Sequence, residues 1–133
     1  MIGIDTGFFI ELIKGNKQTS EVWNEILDGE DSVVSCISLY ELKKLALKGS
    51  IDNHSVDTLL EAIKNICTIA WLDDPEIFMT AANLSHGLGL HMSDALILSG
   101  FIKYNTAIIY TVDPHLCLYK KKGVHVILLN SVL

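Results

Sequence analysis

The chain has 133 residues, with ten lysines and no arginine against sixteen Asp and Glu, so its formal charge is −6. Half the residues are apolar, enough for a packed core, and nine glycines and two prolines exclude a collagen-like or low-complexity chain. The length predicts one domain over residues 1–133, and the acidic balance excludes a protein that grips nucleic acid by bulk positive charge, though not one that holds it through metal ions.

Met1–Ile4 reads as a short buried strand ending at Asp5, and Phe8–Lys14 as a helix that stops at Gly15. Thr19–Leu27 places Val22, Trp23, Ile26 and Leu27 on one helical face. Ser32–Cys36 is short and β-branched, so a strand. Ser38-Leu39-Tyr40-Glu41 has capping-box spacing and opens a helix to Lys48. His54–Ile66 is amphipathic, with Val56, Leu59, Leu60, Ile63 and Ile66 as its stripe, and Cys67–Leu72 reads as a strand. Asp74-Pro75 is a cap followed by proline at the first helical position, starting a helix to about Leu84. Ser93 caps a helix to about Lys103, and Ala107–Thr111 is a strand. Asp113-Pro114 starts a short helix ending in Lys120, Lys121 and Lys122, before a last strand over Val124–Leu129.

Strands alternating with helices predict an α/β fold with a mainly parallel sheet and helices on both faces. The apolar stretches are far shorter than the roughly 20 residues that span a bilayer, and Asp5 interrupts the first apolar residues, so no signal peptide is expected. Cys36, Cys67 and Cys117 are odd in number and widely spaced, which fits small buried residues kept reduced in a cytoplasm.

In a parallel α/β sheet, ligands bind outside the carboxyl ends of the strands. Asp5 ends the first strand, Glu41 lies in the first turn of the helix after SVVSC, and Asp113 follows the AIIYT strand. Asp94 opens the helix that returns the chain into that same strand, so it belongs on the same edge. Each acid has an ordinary explanation: Glu41 completing the capping box, Asp94 favouring a helix dipole, Asp113 capping before Pro114. Asp5 is the hardest to explain by packing. Together, acids on one rim repel one another, and there is no arginine to neutralise them. An all-oxygen set suits Mg²⁺ or Mn²⁺ and phosphodiester hydrolysis, some acids holding metal and others orienting water.

The segments Ile4-Asp5-Thr6, Ser38-Leu39-Tyr40-Glu41-Leu42, Gly89-Leu90-His91-Met92-Ser93-Asp94-Ala95, Tyr110-Thr111-Val112-Asp113 and Lys122-Gly123-Val124-His125-Val126 occur in an order and spacing that resemble the PIN-domain nucleases, in particular the VapC toxin ribonucleases. The resemblance implies a PIN-like, Rossmann-like three-layer sandwich. It also implies a metal-dependent endoribonuclease, usually a homodimer paired with an antitoxin. Asp5, Glu41, Asp94 and Asp113 would form the catalytic, metal-holding set, with Thr6 and Thr111 shaping the site. Two features depart from the pattern. Gly7 stands where the family often carries Ser or Asn, and the lack of arginine leaves RNA phosphates to backbone amides, helix N-termini and lysines, such as Lys43, Lys44, Lys48 or Lys120–Lys122. These departures motivate an alternative, a non-catalytic PIN-like module that binds protein or RNA.

Other signals are weaker. Gly87-Leu88-Gly89-Leu90-His91-Met92 lacks the last glycine of a dinucleotide fingerprint and follows a helix rather than a strand. The five histidines have no zinc spacing, and no G-x-S-x-G elbow is present. His91 and His115 lie near Asp94 and Asp113 in sequence.

Overall fold

The computed structural model describes residues 1–130, so the last three positions of the expected domain lie outside the described residues. The elements in order are β1 (Ile2–Ile4), α1 (Thr6–Ile13), α2 (Lys17–Leu27), β2 (Ser32–Ser35), α3 (Cys36–Leu47), α4 (Asn53–Ile66), β3 (Thr68–Ala70), α5 (Pro75–Leu88), α6 (Met92–Lys103), β4 (Ile108–Thr111), a 3-10 turn (Pro114–Leu118) and β5 (His125–Leu128). The strands form one sheet in the order β3-β2-β1-β4-β5, and every pairing is parallel. This is the expected α/β architecture with a parallel sheet.

The alternation of side chains along the strands divides the core into two layers. Ile2, Ile4 and Val34 face one side, with Phe8, Phe9, Trp23, Leu42 and Ile63. Val33, Ala70 and Ile109 face the other, with Ile77, Leu96, Leu98 and Phe101. On that second face α6 lies very close to the sheet. A Cβ at Gly3 would stand 3.0 Å from Thr106 Cγ2 and 3.1 Å from the Phe101 ring. Helix α6 is buried almost all round from Ala95 to Phe101, as expected of a helix without a polar face.

Several boundaries differ from the sequence reading, each for a local reason. Helix α1 starts at Thr6 rather than Phe8, because Asp5 is its cap. Asn16 caps α2 through the amides of Gln18 and Thr19, which moves its start to Lys17. Helix α3 starts at Cys36 and is capped by Ser35, whose hydroxyl accepts from Ile37 N at 3.1 Å. The Ser38–Glu41 capping box is therefore absent: Ser38 sits inside the helix, fully buried. Ser93 is not a cap either, since His91 holds that position with no side-chain bond. Helix α5 runs on to Leu88, where Gly89 takes a left-handed φ of 70°. Among the cysteines, all free, only Cys67 is buried. Leu27 and Ile66, expected in the apolar stripes, are exposed. No helix among the described residues is long and apolar enough to cross a membrane.

Candidate active site

The chain steps outward from β1 to β2 and β3, then returns to place β4 on the other side of β1. The crevice between the carboxyl ends of β1 and β4 is thus the switch point of the sheet, where open α/β folds bind ligands. Asp5 leaves β1 there, and Asp113 follows β4 by two residues. Glu41 enters from α3, which follows β2, and Asp94 from the first turn of α6, which leads into β4. All four acids line one cleft of about 380 Å³, together with Thr6 and Gly7.

Asp5 is 6% exposed. Its Oδ1 accepts from Phe8 N at 2.9 Å, and its Oδ2 accepts from the Thr111 hydroxyl. Its carboxyl is pushed up from 3.8 to about 6. Burial is the largest cause, opposed by the Thr111 and Phe8 hydrogen bonds and reinforced by the charges of Asp113 and Asp94. Thr111 serves a second acid as well, because its Oγ1 accepts from Asp113 N at 2.9 Å. The packing role that the sequence did not suggest for Asp5 is therefore real: it caps α1.

Thr6 plays the corresponding part for Glu41. Its hydroxyl donates to Glu41 Oε1 at 2.6 Å and lies 2.8 Å from Ser38 Oγ. A threonine hydroxyl has one hydrogen, so Ser38 donates to Thr6 and Thr6 to Glu41. Asp94 is half-buried, and burial pushes its carboxyl up, helped by the charges of Asp113 and Glu41 and opposed by His91 and His115. Asp113 Oδ1 accepts from His115 N at 2.9 Å and lies 2.8 Å from His115 Nδ1, so the ordinary reading of Asp113 as a cap also holds.

Gly7 has a steric reason. A Cβ there would meet Val112 Cγ2 at 2.7 Å, so the Val112 side chain would have to shift. The basic residues sort themselves. Lys43 is paired with Asp57 at 3.1 Å. Lys121 and Lys122 line a different pocket, with Ala107 and Val124 at the amino ends of β4 and β5. Lys44 and Lys48 line the acidic cleft. The densest basic run is therefore at the wrong edge of the sheet. Sequence reasoning missed the place of Ser38, mistaken for a cap, and did not put Tyr40 on the cleft that it lines.

Among the described residues no three His, Cys, Asp or Glu side chains are gathered tightly enough to enclose a metal ion as they stand. The donor chemistry still fits a hard cation. Every acid offers carboxylate oxygen, mutual repulsion contributes to the raised Asp5 and Asp94 carboxyls, and Mg²⁺ keeps several waters rather than demanding an all-protein cage.

The sequence model of the PIN domain matches residues 2–122. No curated protein matches the chain in sequence. Among solved structures, it resembles a toxin–antitoxin complex from Klebsiella pneumoniae (TM-score 0.72, 19% identity, covering 94% of this chain and 96% of that one). It also resembles VapBC2 from Rickettsia felis bound to a promoter DNA fragment (0.71, 16%, 95% and 97%). A third is VapBC-1 from nontypeable Haemophilus influenzae (0.68, 18%, 96% and 98%). At such identities these structures speak for the fold alone, and the family match covers most of the chain: it belongs to the PIN domain family.

Proposed function

We propose that this protein is a divalent-metal-dependent endoribonuclease and the toxin of a toxin–antitoxin pair. The observation that carries the reading is the convergence of Asp5, Glu41, Asp94 and Asp113, from four separate segments, on one cleft at the switch point of the sheet. These four would hold Mg²⁺ or Mn²⁺, which when bound supplies an activated water and offsets negative charge at the phosphodiester.

The chain's own groups prepare that site before substrate arrives. Thr111 fixes the Asp5 carboxylate and the Asp113 backbone together. Thr6, itself held by Ser38, fixes Glu41. Both threonines are positioning residues. Asp94 stands half-buried in the first turn of α6 and lines the cleft, where its carboxylate is placed to hydrogen-bond an attacking water. With four carboxylates against two cleft lysines, RNA affinity without metal should be weak.

The similar structures are toxin–antitoxin complexes by title, which supports a cognate antitoxin partner and, by the family resemblance, a homodimer. A cytoplasmic setting fits three free thiols.

The test is cleavage of mixed single-stranded RNA with Mn²⁺, with Mg²⁺ and with chelator, beside Asp94→Asn prepared identically. Metal-dependent cutting that disappears in the variant is expected. Equal cutting by both samples, after removal of contaminating nuclease, would defeat the proposal. Absence of cutting by both, with intact metal binding by titration, would favour a non-catalytic binding module.

A further inference from the structure

We infer that Tyr40, Lys44 and Lys48 form a nucleotide-binding wall of the cleft, with the Tyr40 ring stacking on an unpaired RNA base and the two ammonium groups holding the adjoining phosphates. The inference rests on the nucleic-acid reading of the cleft but not on cleavage itself.

The three residues stand at i, i+4 and i+8 of α3 and its C-cap, one stripe of the helix surface. At a rise of 1.5 Å per residue the stripe spans about 12 Å, long enough for more than one nucleotide. All three line the same cleft as the four acids. Tyr40 is 63% exposed, whereas Leu42, two residues on, is fully buried. The core therefore does not use the Tyr40 ring. Lys44 Nζ lies 5.7 Å from the centre of that ring, close enough for cation–π attraction to hold the two side chains in one arrangement.

Charge and position together pick out the same pair. Lys14, Lys43, Lys64 and Lys103 are ion-paired; among the lysines without a carboxylate partner in the described residues, Lys44 and Lys48 are the two that line the acidic cleft. Two unpaired cations and an open aromatic face, on a chain of charge −6, make a local surface suited to a polyanion with exposed rings. Single strands offer both features, while a duplex hides its base faces in the stack.

The experiment is fluorescence anisotropy of a labelled single-stranded oligoribonucleotide on the intact protein in Mg²⁺, with the parent and every variant carrying Asp94→Asn so that the strand is not cut. It compares the parent, Tyr40→Leu, Tyr40→Phe and Lys44→Gln/Lys48→Gln, with abasic sites placed at successive positions of the oligonucleotide. Tyr40→Leu should weaken binding roughly tenfold, and Tyr40→Phe, which keeps the ring, should restore most of that loss. One abasic position should weaken binding by the parent about as much, yet have little further effect on Tyr40→Leu, because both remove the same stack. The lysine double variant should reduce the slope of log affinity against log salt by about 1.4, from roughly 0.7 per phosphate contact on a single strand. Unchanged thermal unfolding would show that these exposed substitutions leave the fold intact. The inference is overturned if the parent does not bind, if Tyr40→Leu binds as the parent does, or if the abasic penalty persists undiminished in Tyr40→Leu. Tyr40-dependent binding without cleavage would sustain the wall and refute the nuclease; cleavage with Tyr40→Leu indistinguishable from the parent would do the reverse.

Discussion

Replacing Asp5 by Asn should make the protein gain stability relative to the parent as pH rises to neutral, when divalent metal is absent. Asp5 is almost wholly buried, and its carboxyl is pushed from 3.8 to about 6. The difference of about 2.2 pH units corresponds to roughly 3 kcal/mol at 1.36 kcal/mol per unit. The folded carboxyl binds its proton more tightly than the unfolded one. The stability it contributes is therefore fully present below about pH 4 and is lost as pH rises through about 6. Asp94, raised in the same direction, adds to the same trend in both proteins. Asn keeps an oxygen for the Phe8 amide and does not titrate; its NH2 takes the place of the oxygen that accepts from Thr111, a cost that does not vary with pH and so leaves the pH trend unchanged. Urea denaturation in chelator, at constant ionic strength, should show the stability of the variant minus that of the parent growing by about 3 kcal/mol between pH 4 and pH 7. Adding Mg²⁺ or Mn²⁺ at about 100 times its dissociation constant should then return about 2.7 kcal/mol to the parent and much less to the variant. A difference that stays flat or falls across that pH range would refute the reasoning, because it would mean that Asp5 is not held at a desolvation cost.

Thr6→Val should destabilise the protein by about 1–3 kcal/mol, since it leaves the fully buried Ser38 hydroxyl without its acceptor. It should also weaken metal affinity by calorimetry through the freed Glu41, and Thr6→Ser should recover both. Gly7→Ser, which would restore the family's common polar residue, should instead cost about 1–3 kcal/mol by urea denaturation because of the 2.7 Å approach to Val112 Cγ2. Val112→Ala in the same chain should recover most of that loss; a Gly7→Ser protein as stable as the parent would show that the contact relaxes freely.

The rim of acids was legible before any coordinates because it follows from chain order. A strand that ends at Asp5, a strand followed by Asp113, and a crossover helix that begins at Asp94 must meet at one edge of a parallel sheet. Apolar runs and helical spacing identified the strands and helices, as these are local patterns. The caps were less legible: Ser35 and Ser38 both suit the start of α3, and the choice depends on where Ser38 is buried against Thr6. Gly7 read in sequence as a departure from the family's pattern, whereas in the structure a side chain there would crowd Val112.

By itself, then, the sequence determined the alternation of elements, the parallel sheet and the edge on which four carboxylates lie, because hydrophobic period and connection geometry are properties of the chain taken in order. Only the tertiary structure decided what holds those carboxylates and which cations stand beside them. Thr111 meets Asp5 across 106 positions, and Thr6 meets Glu41 across 35. Lys44 and Lys48 reach the cleft, while Lys121 and Lys122, in the denser basic run, face the other edge. Such pairings arise when separate segments pack, so no local pattern of residues encodes them.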